Sequence, residues 1–298
     1  MSRVHPSLFA MLLGFSLLWS CGGDELDSIS ELNKYRILAI QAEPPSLGLG
    51  EQSVVRLFDF HPRDLNDSPG RRYRWRLCLL SAGAVARYEC RVPEIELEGD
   101  GSSITVNPIM LLQTLDPETQ ALLRSASSPE AAEAEDPLGG GLDQAFDFSD
   151  GIPVYLKVTA EALVEGGTEK LEAVKQLRLR FDAETPDNEN PVFQGLSPTL
   201  PARLLPGAKV ELAAKLTAES IERYTVEGET QEEELFLSWA SSGGLFERSV
   251  TDLDPGKNIL TLPDEPGPLK VYVVARDRRG GVGVAELDFD VIEEGGGE

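Results

Sequence analysis

The stretch LKVYVVARDRRGGVGVAELDFDVI, residues 269–292, decides the fold. An apolar run ends at Asp277, and a turn containing Gly280 and Gly281 follows. Beyond it Ala285, Leu287, Phe289 and Val291 alternate with Glu286, Asp288 and Asp290. A period of two belongs to a strand with one buried face. Glycines suit the turn because a tight hairpin needs positive φ.

The same pattern continues upstream. Val210, Leu212, Ala214 and Leu216 alternate with charged or small residues, and Leu235, Leu237 and Trp239 form another inward row. Short runs bounded by Pro, Gly, Asp or Asn, with no helix between them, predict an antiparallel sandwich over 192–293. A polar segment at 185–191 separates it from an earlier set of strands within 35–184. There YRILAIQAEPP (35–45) and SVVRLFDFHP (53–62) read as strands. Trp75, Leu77 and Leu79 face one way; Arg74, Arg76 and Cys78 face the other. Leu177, Leu179 and Phe181 alternate with Arg178 and Arg180. One interruption, 107–150, reads as a short helical insertion followed by an acidic loop, with Asn107 and Asp116 as N-caps, each followed by proline. The expected fold is therefore mainly β: two immunoglobulin-like antiparallel sandwiches, the first interrupted by a helical insertion. Residues 294–298 read as a frayed tail.

The amino terminus reads as an address. Arg3 precedes an apolar or small-residue run from Leu8 to Trp19. At 1.5 Å per residue it reaches about 18 Å, short of the ~30 Å needed to span a bilayer. Residues 1–20 thus have the form of a secretory signal. Leu18-Trp19-Ser20-Cys21 resembles the lipobox of bacterial lipoproteins. That resemblance implies cleavage before Cys21, a diacylglycerol on its thiol and an acylated new amine. Three chains anchor stably where one holds only marginally. Gly22 and Gly23 do not resemble the inner-membrane retention signal of that family, so the expected site is the outer membrane. Residues 21–34, polar and acidic, read as a flexible tether.

Charge narrows the partners. The chain carries 51 acidic and 27 basic residues and a formal charge of −24. Such a balance argues against nucleic acid and against basic-patch docking on anionic lipid. Membrane association is expected through the lipid, and a protein partner in the envelope is expected as well. After Cys21 two cysteines remain, Cys78 and Cys90. In an oxidising envelope they are expected to pair, stabilising the fold by roughly 3 kcal/mol.

Catalytic signatures are absent from the sequence. His61 is the one histidine after Cys21, and there is no H-E-x-x-H, G-x-S-x-G or Gly-rich phosphate loop. No catalytic residue and no cofactor is expected, calcium excepted.

The hairpin at 269–292 is similar to the last hairpin of bacterial immunoglobulin-like, PKD-like and cadherin-like modules. DNENPVF (187–193) resembles the calcium-binding linker of cadherins. The resemblance makes Asp187, Asn188, Glu189 and Asn190, with Asp277, calcium candidates, since calcium takes six to eight oxygens. Glu189 stands where that family has Asp. The order of tether, first strand, Cys-bearing sheet and terminal sandwich also looks like lipoproteins of myxobacteria and their relatives. The expected role is binding, adhesion or structural support at the envelope. The alternatives are an accessory subunit of a secretion or assembly complex and, further off, a glycoside hydrolase using two carboxylates.

Overall fold

The computed structural model describes residues 29–48, 50–99, 101–107, 113, 117, 152–180, 188–197, 204–226 and 229–292. The chain is mainly β, and its sheets are antiparallel apart from one short edge strand.

The first eight strands are β1 (Arg36–Glu43), β2 (Ser46–Gly48), β3 (Ser53–Phe60), β4 (Gly70–Cys78), β5 (Ile95–Leu97), β6 (Ser103–Val106), β7 (Ile152–Val164) and β8 (Gly167–Arg180). They form a three-stranded sheet, β1-β3-β6, and a five-stranded sheet, β2-β8-β7-β4-β5. Alternation sends Val55, Leu57 and Ile104 from one sheet against Trp75, Leu77, Leu156 and Val158 from the other. Trp75 is fully buried, and its Nε1 donates to Gly101 O at 2.9 Å, so the indole has a partner for its one polar atom.

The second body contains β9 (Phe193–Ser197), β10 (Lys209–Leu216), β11 (Arg223–Val226), β12 (Glu229–Glu232), β13 (Phe236–Ser241), β14 (Leu245–Phe246), β15 (Val250–Asp252), β16 (Lys257–Thr261), β17 (Gly267–Arg276) and β18 (Val282–Val291). Two four-stranded sheets, β14-β16-β10-β9 and β15-β13-β17-β18, enclose Leu212, Leu237, Trp239, Leu260, Val271 and Val273. Trp239 Nε1 donates to Thr251 Oγ1 at 2.9 Å. β11 and β12 form a separate two-stranded hairpin. The quoted hairpin pairs without a break from Gly267↔Val291 to Arg276↔Val282.

Glycine serves the turn in two ways. Gly280 has φ +115°, as a tight hairpin requires. Gly281 is there for space, because a Cβ would lie 2.7 Å from Glu189 O and would strike the Asp277 carboxylate.

The bodies lie flank to flank. Contacts follow β17 and β18 along β1 and the turn after β3. Phe60 and Tyr272 enclose Leu32 in one small cluster, and Ala39, Val274 and Val282 form a second. Of the tether expected over 21–34, residues 21–28 lie outside the described residues, and residues 30–32 are docked rather than free. Ser241 N–H donates to Ser30 O at 2.8 Å, Leu32 N–H donates to Ser241 O at 2.8 Å, and Leu32 is 1% exposed. Polar composition suggests a free segment, but one leucine finds an apolar slot between the bodies, and the backbone joins the end of β13. His61 is the N-cap of a 3-10 turn, Pro62–Leu65, and is buried.

The insertion 107–150 lies outside the described residues except for Asn107, Gln113 and Pro117, of which the last two are helical. Residues 1–20, Cys21 and 294–298 also lie outside them.

A fully buried leucine replaced by alanine costs about 2–5 kcal/mol. Leu32→Ala is therefore expected to lower unfolding stability by about 2–4 kcal/mol in denaturant titration. A free tether would give no change.

Candidate functional site: the seam between the two bodies

The linker supplies the central contacts. Asn190 is 6% exposed and its side chain makes three bonds. Nδ2 donates to Ala42 O and to Glu43 Oε2, both at 2.7 Å, and Oδ1 accepts from Val282 N–H at 2.8 Å. One amide thus joins the end of β1 to the start of β18. Gly283 sits against Pro191 O so closely that no Cβ could be added. Further along, Gln41 Nε2 donates to Val282 O at 2.7 Å, and Arg276 Nη2 donates to Leu38 O at 3.0 Å.

Asn188 is buried beside the β17–β18 turn. Its N–H donates to Ser46 Oγ at 3.3 Å, and its Nδ2 donates to Asp277 Oδ2 at 3.0 Å. Among the described residues Asn188 Oδ1 has no hydrogen-bond partner. The Asp277 carboxylate accepts the N–H groups of Arg279, Gly280 and Gly281 at 2.8–2.9 Å, which folds the turn around it. Lys175 reaches across from β8 and donates to Gly280 O. Burial pushes the Lys175 ammonium down to about 8, against the pull of Asp277.

Of the calcium candidates, the structure brings Asn188 and Asp277 together. Asn190 faces a different group of atoms, and Glu189 is exposed, its N–H donated to Glu222 Oε1 at 3.2 Å. Asp187 lies outside the described residues. Among the described residues no group of three or more His, Cys, Asp or Glu is arranged to hold a metal. Asp277 already faces hydrogen-bond donors with both oxygens.

Cys78 and Cys90 are joined by a disulfide, with Cα atoms 5.7 Å apart. It closes a loop whose tip, Val85, is fully exposed. Arg87 and Tyr88 there both adopt positive φ, +53° and +57°, a conformation that costs a non-glycine residue roughly 1–3 kcal/mol. Tyr88 rests on Tyr155 with ring centroids 5.2 Å apart.

A second feature is a shallow cleft of about 190 Å³ between the Pro62–Leu65 turn and the outer ends of β17 and β18. Asp64, Lys270, Asp288 and Asp290 line it. These charges are largely matched within the protein. Arg71 holds Asp64 at 2.6 Å and keeps its carboxyl below the usual range together with the His61 N–H and Ser68, against the effect of burial. Lys270 bonds Glu286 and Asp288 at 2.7 and 2.9 Å.

Sequence reasoning missed several seam residues. Lys175 was visible in principle: it occupies an inward position between Ala173 and Leu177, in a row otherwise apolar. Glu222 and Glu233, which meet at Arg279, carry no such signal, because only the intervening hairpin brings them together.

No family model and no curated protein matches the chain. Among solved structures the chain is similar to three N-terminal domains of the bacteriophage RB49 Highly Immunogenic Outer Capsid protein, at 12% identity and TM-score 0.22, covering 87% of this chain and 59% of that one. It is also similar to the Bacteroides ovatus glucan-utilisation protein SGBP-B in complex with a mixed-linkage heptasaccharide, at 10% identity and TM-score 0.24, covering 88% of this chain and 48% of that one. The Ig1-2 module of the Drosophila receptor protein tyrosine phosphatase DLAR gives 11% identity and TM-score 0.24, covering 88% of this chain and all of that one. This chain spans only about half the length of the first two. At these scores the fold rests on the strand pairing described above.

Removing one partner of a buried hydrogen bond costs about 1–3 kcal/mol per group left unpaired. Asn190→Ala is expected to destabilise the protein by about 2–4 kcal/mol and to raise amide exchange at Val282 above that at mid-strand Val273. Equal exchange at both would show that the seam does not depend on this amide.

Proposed function

We propose that the protein is a bacterial envelope lipoprotein, held by lipid on Cys21 at the outer membrane, with a non-enzymatic binding, adhesion or structural role. The observation that carries the reading is the seam. Two sheet-built bodies locked flank to flank by buried amides make a rigid platform, and rigid platforms with exposed loops serve contact. The Cys78–Cys90 bond fits an oxidising compartment, as the lipobox requires. The carboxylates of Glu222 and Glu233 come close, but Arg279 bonds both and the Glu233 side chain is buried, so this pair is not open to a glycosidic substrate.

One observation favours the accessory-subunit version of this role. Val85, an apolar side chain wholly in solvent, tips a loop braced by the disulfide and held in a costly backbone conformation. Such strain is kept where the surrounding structure fixes it, and it concentrates at contact sites.

Cys21→Ser is expected to move the protein from the membrane pellet to the soluble fraction and to abolish incorporation of labelled palmitate. A serine variant that still sediments with membranes, or a wild-type protein whose Cys21 thiol is bare by mass spectrometry, would remove the anchoring part of the proposal.

A further inference from the structure

The base of the β11–β12 hairpin sets two carboxylates against one guanidinium. Glu222 precedes β11 and Glu233 follows β12, so closing the hairpin brings them together. Glu233 N–H donates to Glu222 O at 3.0 Å, and Glu222 N–H donates to Glu233 Oε2 at 3.3 Å. Arg279, from the β17–β18 turn, donates through a single nitrogen, Nη1, to Glu222 at 2.9 Å and to Glu233 at 2.6 Å. Its guanidinium carbon lies 4.2 Å from the ring centre of Tyr224 on β11. The linker joins the same cluster through the Glu189 N–H on Glu222. The Glu233 side chain is 1% exposed and that of Glu222 is 20%.

Among the described residues the hairpin has little else to hold it. Every residue of β12 is exposed, and an isolated two-stranded ribbon is marginal in water. Its docking depends on the cluster at its base.

Among the described residues the charges in that cluster do not balance. Two carboxylates face one cation, and among the described residues only Arg279 is within ion-pair reach of either. Asp277 adds negative charge next to Glu233. Lys175 bonds Gly280 O on the far side of the turn, and Arg276 bonds Ser238 Oγ and Leu38 O. Two rim pairs, Arg278–Glu234 at 3.0 Å and Arg223–Glu232 at 2.9 Å, are internally matched. Glu189 is exposed.

We propose that Glu222 and Glu233 form a proton-binding site that latches the β11–β12 hairpin and the linker to the β17–β18 turn. With one proton on the pair, one carboxylate charge instead of two faces Arg279, and the three elements stay joined. When that proton leaves, two like charges share one guanidinium in a part-buried setting, and the weakest element, the hairpin, swings free.

The titration runs in the required direction. Burial first, then the Glu233 charge, pushes Glu222 up to about 7 against the pull of Arg279, and burial pushes Glu233 up as well. The folded protein therefore holds this proton more tightly than the unfolded chain does. The stabilisation is complete below the ordinary carboxylate value, about 4.5, and is lost as pH rises through about 7. Lys175, whose ammonium titrates at about 8, also begins to lose its charge at the upper end of that range, and Glu222→Gln, which leaves Lys175 in place, separates the two effects.

The test is amide hydrogen exchange on the full-length protein at pH 5.5 and 8.0, corrected for intrinsic exchange. Protection of β11–β12 amides is expected to fall at least about tenfold between the two, relative to β17–β18, one tenfold step for each pH unit of differential proton binding. Glu222→Gln, an uncharged mimic of the protonated acid, is expected to hold its protection at both. Equal hairpin protection at both pH values in the wild type, or a variant that opens in parallel with it, overturns the proposal. Should the variant fail to fold, carboxyl-carbon NMR of the wild type decides. A Glu222 midpoint between 6 and 8 supports the latch, and one at the ordinary carboxylate value overturns it.

Discussion

The structure depends on a few buried amides that tie two self-sufficient cores into one body. Asn190 joins β1 to β18, Asn188 joins the linker to the Asp277 turn, and Gln41 extends the contact. Each core would close without them, since each has its own tryptophan and its own two facing sheets. What the amides fix is relative position. A buried amide left without partners is costly, so only the register that satisfies Asn190 three times over is retained. Apolar contact between Ala39, Val274 and Val282 supplies adhesion along the flank, but it is non-directional and sets no register by itself.

The choice of amides matters in a chain this acidic. At −24 the folded protein repels itself. Ion pairs across the seam would be screened by salt and would shift with pH. The bonds of Asn190 and Gln41 to backbone groups, at Ala42 O, Val282 N–H and Val282 O, respond to neither. The ion pairs sit chiefly elsewhere: on exposed faces such as Lys257–Glu211 and Lys209–Glu247, where each contributes little, and around the Pro62–Leu65 turn. Charged side chains also enter the seam as donors to carbonyls, Lys175 to Gly280 O and Arg276 to Leu38 O, and Arg279 is placed where the hairpin must be held to the rest.

Much of this was legible in the sequence. Alternation exposed the inward rows Trp75–Leu77–Leu79 and Leu235–Leu237–Trp239, because a strand with one wet face obeys a period of two. The cysteine pair was legible from its number and from the expectation of an oxidising compartment. The seam was not, because its residues are polar and look like an ordinary turn; NEN reads as solvent-loving until the flank of a second sheet closes over it. Leu32 was hidden for the opposite reason, a single apolar residue in an acidic segment with no periodicity to reveal a buried face. Lys175 was the one seam residue out of phase with its row. Glu222 and Glu233 could not be paired from the sequence, since their meeting is a product of tertiary closure.

The docking of residues 30–32 on Ser241 has a mechanical consequence. Although residues 30–35 lead directly into the first body, Ser30 and Leu32 are gripped by the second. Tension applied at the amino terminus is therefore borne first by two backbone bonds to β13 and by the Leu32 plug, and only afterwards by β1. A load entering there is split across both halves at once, so the chain between them is never the sole strand in the line of pull.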